Sequence, residues 1–162
     1  MNTKRLVLLA FLSIILTVQE ELLTFLPNIQ LTVFLLVLYS KKLKCHETLL
    51  IITLHVLLDN LFLGSFNLYY TPFMWIGWAL IPLCSHTIFK KIDDSLKLAF
   101  TGVLYSFLYS WTFMIASALI LNVSILSYFL ADIVFELLLA ISSFLSILWL
   151  YEPCSKVFDR FL

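Results

Sequence analysis

Acidic residues placed inside apolar segments are the side chains best suited to chemistry in this chain. His55 and Asp59 are four positions apart, and so are Asp132 and Glu136, a spacing that puts both members of a pair on one face of a helix. Polar groups cost free energy in hydrocarbon and persist there mainly when they face a protein interior or a cavity. Such acids would share protons, bond neutral partners or face a hydrogen-bonding or cationic guest. For His55 and Asp132, hydrogen bonding between helices explains the pattern equally well.

Aromatic side chains lie in the same part of the sequence. Asp59 is followed by a loop of small and aromatic residues, after which Trp75 and Trp78 stand about one helical turn apart. Aromatic faces beside carboxylates suit a flat nitrogen heterocycle or an ammonium group, through stacking and cation–π attraction. An aromatic belt at the membrane interface explains Tyr69 and Tyr70 as well as a pocket does. The pattern predicts a site for a neutral or cationic heterocycle.

Composition assigns the chain to the membrane. Its mean hydropathy is +1.05, 62% of its residues are hydrophobic, and 12% are charged, about half of the roughly 25% typical of soluble domains. With about 20 residues needed for each spanning helix, 162 residues have room for at most six short spans. We predict an all-α integral membrane protein, a single compact bundle of six transmembrane helices at about 5–24, 29–40, 48–63, 72–89, 96–121 and 128–151.

Charge predicts the orientation of these spans. All ten Lys and Arg residues fall in the N-terminal segment, the loops 41–47 and 90–97, and the C-terminal segment. The positive-inside rule therefore places both termini in the cytoplasm. Five acids lie within the membrane or toward the outer face with no basic residue to pair with them: Glu20, Glu21, Asp59, Asp132 and Glu136. A di-anionic ligand is disfavoured because nothing on the outer side would balance its charge.

Motifs of soluble enzymes are absent. The sequence has no H-E-x-x-H, C-x-x-C or G-x-S-x-G, and three glycines in all argue against a phosphate-binding loop. We therefore predict no enzyme activity, no cofactor, no metal and no nucleic-acid partner, and the three separated cysteines are interpreted as reduced and structural. His55 with Asp59 keeps metal binding open. An intramembrane enzyme that uses Asp132 and Glu136 as acid and base is a further alternative.

Four features occur together along the chain. They are six predicted spans, a polar first outer loop that reads L-P-N-I-Q, a third span ending in L-L-D-N-L-F-L-G-S-F-N, and an aromatic re-entry, Y-T-P-F-M-W-I-G-W. In this order they resemble the substrate-binding S component of an energy-coupling factor (ECF) vitamin transporter. The resemblance implies a multi-pass protein of a prokaryotic plasma membrane. It implies capture from outside of a small-molecule micronutrient, which we expect to be a neutral or cationic heterocycle of vitamin or nucleobase type. It also implies two kinds of partner, a transmembrane T component and two cytoplasmic ATPase subunits that drive uptake.

The resemblance also implies which residues bind. The family's pocket is generally lined by the outer halves of spans four to six and capped by the first and third outer loops. With the acid and amide of the third span, this predicts the substrate-binding residues Asn28, Gln30, Asp59, Asn60, Asn67, Tyr70, Trp75, Trp78, Tyr109, Trp111, Asp132 and Glu136. Family members usually carry A-x-x-x-A on the first span for docking on the T component. Here the counterpart is Ala10 with Ser13 or Ile14, without the second alanine.

A scaffold is the competing interpretation. The rod-shape-determining family of small membrane scaffolds has a similar length and number of spans, and its members organise cell-wall machinery without transporting anything. This interpretation predicts a groove that holds partner helices and acids that act as interhelical bonds. A saturable affinity for a small molecule would distinguish the transporter from the scaffold.

Overall fold

The structure is a computed structural model that describes residues 3–62 and 67–160. Within these residues it contains six α-helices and no strand, so the predicted all-α fold is confirmed. The helices are α1 (Thr3–Leu22), α2 (Thr32–Lys42), α3 (Cys45–Phe62), α4 (Thr71–His86), α5 (Ser95–Leu121) and α6 (Ile125–Phe158). They follow the predicted spans in order, although α6 continues beyond the predicted end at 151. Leu63, with which the third predicted span ends, lies outside the described residues.

Three of the described helices, α3, α5 and α6, are long and apolar enough to cross a membrane. This marks the chain as a membrane protein. Of the other helices, α2 has 11 residues and α4 has 16, which is short for the roughly 20 residues of a full crossing. The remaining helix, α1, has 20 residues but carries charged side chains at both of its ends.

The short helix α2 forms the centre of the bundle. A helix that is apolar all round is stable only when it is surrounded, and every residue of α2 from Thr32 to Ser40 is buried. It contacts each of the other five helices, which pack around it in the order α1, α3, α4, α5, α6. Within the described residues α1 and α6 do not contact each other. The ring around α2 is therefore open on one side.

Local chemistry explains where several helices begin and end. The loop between α1 and α2 contains Pro27, which disfavours helix, and Asn28, whose φ of 57° lies in the left-handed region that asparagine tolerates better than most residues. Asp94 caps α5 by accepting a hydrogen bond from the Lys97 amide at 3.1 Å. Ser124 caps α6 in the same way through the Ser127 amide.

Charged contacts join the helix ends at one end of the bundle, which we call the basic end. Arg5 binds Glu47 through two hydrogen bonds of 2.8 Å, joining the start of α1 to the start of α3. Lys42 at the end of α2 lies 2.7 Å from an Asp159 oxygen beyond α6. Lys41 donates to the Phe89 carbonyl oxygen at 3.0 Å. We call the opposite end the acidic end, because Glu20, Glu21, Asp59, Asp132 and Glu136 lie on the parts of α1, α3 and α6 remote from these contacts.

Candidate functional site

A small pocket opens at the acidic end, and we call it the acidic pocket. Its volume is about 240 Å³, and it lies among the end of α1, the 23–31 loop, α3 and α5. None of its lining residues is basic. They are Glu20, Glu21, Leu23, Thr24, Leu26, Pro27, Asn28, Ile29, Gln30, Asp59 and Tyr109.

A network of polar side chains fixes the loop that borders this pocket. The Thr32 hydroxyl lies 3.1 Å from both Glu20 Oε2 and Gln30 Oε1, so its single hydrogen serves one of these oxygens at a time. It accepts a hydrogen bond from Gln19 Nε2 at 2.7 Å, and Gln19 Oε1 accepts from the Leu31 amide at 2.8 Å. Gln19 thereby ties the end of α1 to the residue that precedes α2.

The far end of the loop is held by α6. The Gln30 amide donates to Ser142 Oγ at 3.2 Å, and the same hydroxyl donates to the Gln30 carbonyl oxygen at 2.9 Å. One serine therefore satisfies both backbone groups of Gln30 from a helix more than a hundred residues away in sequence. The Gln30 side chain stays on the pocket side, where it is buried.

His55 and Asp59 stand one turn apart on α3 beneath the acids of α1. His55 is fully buried, with Nδ1 3.2 Å from Thr17 Oγ1. Its Nε2 lies 3.1 Å from Glu20 Oε2, which is within the distance of an ion pair. The two atoms are not aligned for a hydrogen bond. Asp59 is 4% exposed, and its Oδ1 has no hydrogen-bond partner within the described part of the chain. A buried polar atom left unpaired costs about 1–3 kcal/mol, so this oxygen is the natural contact for a guest.

Tyr109 forms the wall that faces these acids. Its ring stacks on Trp78 with centroids 3.6 Å apart and planes inclined by 17°. Gly77 permits this approach, because a Cβ at that position would lie 2.7 Å from Tyr109 Cδ2. Trp78 itself is fully buried, so it supports Tyr109 and does not offer a free face to a ligand.

A second group of acids, Asp132 and Glu136, lies on α6. Glu136 is 1% exposed, and its Oε1 lacks a hydrogen-bond partner among residues 3–62 and 67–160. It lies close to Asp132 and to the Trp111 indole. Tyr128 lies near both of these acids and also near Tyr109. The acidic pocket itself contains neither Asp132 nor Glu136.

The structure brings four of the predicted binding residues together in the acidic pocket: Asn28, Gln30, Asp59 and Tyr109. The carboxylates Asp132 and Glu136 form the second group described above, with Trp111 beside them. Trp111 is 42% exposed. Trp78 contributes only by packing behind Tyr109.

The remaining predicted residues have partners elsewhere. Asn60 accepts from Thr71 Oγ1 at 3.0 Å and donates to the Val56 carbonyl oxygen, so it links α3 to α4. Three others lie away from the acidic pocket. Asn67 turns the chain by accepting from the Tyr69 amide at 2.9 Å, Tyr70 lies 3.3 Å from Ser117 Oγ, and Trp75 donates to Thr53 Oγ1 at 3.0 Å.

Glu20 and Glu21 are pocket residues that the sequence-based site did not include. The sequence already indicated them as candidates, since they are adjacent acids without a basic partner at the end of an apolar run. Their position over Asp59 depends on how α1 packs on α3, which the spacing of residues within one helix does not specify.

The predicted docking residues on α1 divide between two faces. Ala10 is exposed and Ile14 is 51% exposed, so both lie on the outer surface of the bundle. Ser13 is buried and donates to the Leu9 carbonyl oxygen at 2.9 Å, so it faces the interior. Only Ala10 and Ile14 are placed to meet a partner.

Comparisons with known proteins add no family. No protein-family model, curated protein or solved structure matches this chain. Within the described residues, no group of three or more His, Cys, Asp and Glu side chains has a geometry that could hold a metal ion. Fold and site together define an all-helical membrane protein with an acidic pocket bounded by helix ends and a loop.

Proposed function

We propose that this chain is the substrate-binding subunit of an ECF-type importer and that the acidic pocket receives a small heterocycle, neutral or cationic, from outside the cell. In this proposal all six helices lie in the membrane, and the loop before α2 completes the crossing that its 11 residues are too few to make alone. The basic end and both termini face the cytoplasm of a prokaryotic cell, in accord with the positive-inside rule. The observation that carries the proposal is the buried, unpartnered Asp59 Oδ1 in a pocket without basic lining residues.

Charge and size support the ligand class. Three carboxylates, from Glu20, Glu21 and Asp59, line the pocket, and His55 lies beneath it with Nε2 3.1 Å from Glu20 Oε2. A guest that donates hydrogen bonds or carries positive charge would satisfy these oxygens, whereas an anion would be repelled. The volume of about 240 Å³ is below the roughly 300–1,000 Å³ of drug-sized sites, so it suits one or two small rings.

The partners follow from the same proposal. The chain binds substrate and does not act as an enzyme, so a transmembrane T component and two cytoplasmic ATPase subunits supply the energy. Ala10 and Ile14 lie on an exposed face of α1 where a T component could approach.

Native mass spectrometry of the tagged chain, purified gently from its own membranes, tests the proposal directly. It reports protein partners and retained small molecules in one measurement. A membrane subunit with two ATPases, or a heterocycle released on activation, would support the importer. A large cell-wall scaffold protein with no small molecule would contradict it.

Amide substitutions then test the carboxylates one at a time. Asp59→Asn is expected to reduce retention of the small molecule about tenfold or more, since a hydrogen bond to a charged group is lost. Asp93→Asn is the matched control, because Asp93 is an exposed acid at the basic end. Unchanged retention in Asp59→Asn would refute the role of this carboxylate, and a loss in Asp132→Asn or Glu136→Gln alone would move the site to the second acidic group.

A non-transporting membrane scaffold of the rod-shape-determining type is the second candidate. The observation that favours it is the open side of the ring between α1 and α6, where a partner helix could lie against α2. In that case the acids would act only as bonds between helices, and their amide variants would change stability without changing any small-molecule affinity.

A further inference from the structure

The open side of the ring contains a second, larger cavity, which we call the basic cleft. Its volume is about 1140 Å³, and it lies between α1 and α6 with Leu35, Leu38 and Tyr39 of α2 as its floor. Its lining is apolar except at the rim formed by the starts of α1 and α3. The rim side chains are Lys4, Arg5, Lys44, His46 and Glu47.

The cleft has the depth of one membrane leaflet. From Arg5 to Ile15 the lining of α1 extends over ten residues, or about 15 Å at 1.5 Å per residue. Half of a typical hydrocarbon core of about 30 Å has the same thickness. Phe11 is 59% exposed, Ile15 36% and Val157 54%, so the cleft opens sideways between the two helices toward the space that lipid chains occupy.

The rim carries two lysines that no acid among the described residues neutralises. Glu47 is occupied, since it accepts two hydrogen bonds from Arg5 and a third from the Lys44 amide at 3.0 Å. The ammonium groups of Lys4 and Lys44 make no hydrogen bond or ion pair within residues 3–62 and 67–160. Within this part of the chain, both lysines are therefore left for an anion from outside.

We propose that the basic cleft binds one anionic phospholipid, with its phosphate at Lys4 and Lys44 and an acyl chain along Phe11, Ile15 and Leu35. Basic pockets between helices at a membrane surface recognise anionic lipid headgroups in this way. A water-soluble phosphate would leave the apolar wall uncovered, and the volume exceeds the roughly 300–1,000 Å³ of small-molecule sites. An apolar partner helix would cover the wall but leave the lysine charges unbalanced. The inference does not depend on the ligand of the acidic pocket.

Lipid retention in nanodiscs tests this proposal. The full chain is placed in discs of equal parts phosphatidylglycerol and phosphatidylcholine with identical acyl chains, and native mass spectrometry counts the lipids that remain bound. We expect one retained lipid, with about a tenfold preference for phosphatidylglycerol. The double variant Lys4→Glu with Lys44→Glu should abolish the preference. The control, Lys90→Glu with Lys91→Glu, changes two exposed lysines of the same end outside the cleft and should keep it.

Two further results keep the test decisive. If the double variant does not fold, Val157→Trp replaces it, since a larger ring on the exposed cleft wall should displace the lipid without touching any charge. Equal retention of both lipids, or a preference that persists in the cleft variants, overturns the proposal. A photo-crosslinker at Val157 that captures a polypeptide helix in native membranes, and no lipid, would assign the cleft to a protein partner and overturn it as well.

Discussion

The two ends of the bundle differ in whether their acids have cationic partners. At the basic end two acids at helix termini have cationic partners, since Glu47 binds Arg5 and Asp159 binds Lys42. At the acidic end Glu20 relies on a threonine hydroxyl and a histidine, and Asp59 keeps an oxygen without any partner among the described residues. The formal net charge of the chain is zero, so this is a separation of charge and not an excess. Acids are paired with cations at one end and lack cationic Lys or Arg partners at the other, where a guest would supply the missing contacts in the proposed function.

Breaking the Arg5–Glu47 pair should have the largest effect on stability. Glu47→Ala removes the carboxylate that accepts two hydrogen bonds from Arg5 and one from the Lys44 amide, which we expect to lower the free energy of unfolding by about 3 kcal/mol. Thermal unfolding in detergent measures the loss. Lys42→Ala is the matched control, because its partner Asp159 is 58% exposed and such pairs contribute about 0–1 kcal/mol. Equal losses in the two variants would contradict the contrast between them.

Gly77→Ala should disturb the acidic end without adding or removing charge. The new Cβ would lie 2.7 Å from the Tyr109 ring and 2.8 Å from Thr112 Oγ1, and the ring cannot retreat because it stacks on Trp78. We expect a loss of about 2 kcal/mol and a change in tryptophan fluorescence. Gly102→Ala is the comparison, since the one atom its Cβ would crowd is Cδ1 at the flexible end of Ile147, while Ser143 Cβ at 3.7 Å would be in ordinary contact. A larger loss at Gly102 would argue against a rigid aromatic wall.

Asp59→Leu should act in the opposite direction from Glu47→Ala. Replacing a buried, unpaired carboxylate by an apolar side chain removes a desolvation cost, so we expect the free energy of unfolding to rise by about 1 kcal/mol while ligand binding is lost. Denaturation and ligand retention, measured on the same preparation, separate the two effects. A destabilised variant would show that Asp59 has a structural partner and is not reserved for a guest.

Ser142→Ala should have the smallest effect. It removes the hydroxyl that bonds both backbone groups of Gln30, at a cost of about 1 kcal/mol that falls mainly on the 23–31 loop. Amide hydrogen exchange at Gln30 should accelerate while α5 is unchanged. Ser146→Ala, one turn further along α6, is the control, because Ser146 bonds only carbonyl oxygens of its own helix. Equal exchange in both variants would show that the loop does not depend on α6.

The sequence predicted the fold better than the site. Apolar runs and the breaks between them predicted the order of the six described helices, because proline, asparagine and capping residues determine locally where a helix begins and ends. The acidic pocket depends on contacts between helices. Asp59 could be identified because an acid inside an apolar segment is unusual in itself, but the sequence did not place Glu20 opposite it. Trp75 was predicted to bind ligand, but Thr53 on α3 takes its indole N–H. Which partner an aromatic ring finds is decided by packing that one sequence does not specify.

The shortness of α2 has an electrical consequence. Its 11 residues span about 16 Å, roughly half of a hydrocarbon core of about 30 Å. In the proposed topology, Lys41 and Lys42 hold one end of the helix at the basic surface, so Thr32 and the pocket beside it would lie near the middle of the membrane. The 23–31 loop at that depth would line a water-filled cavity, which would carry the outside solution inward and concentrate the membrane voltage across α2. A cationic guest in the proposed site would therefore bind more tightly as the cell interior becomes more negative, and a neutral guest would not respond.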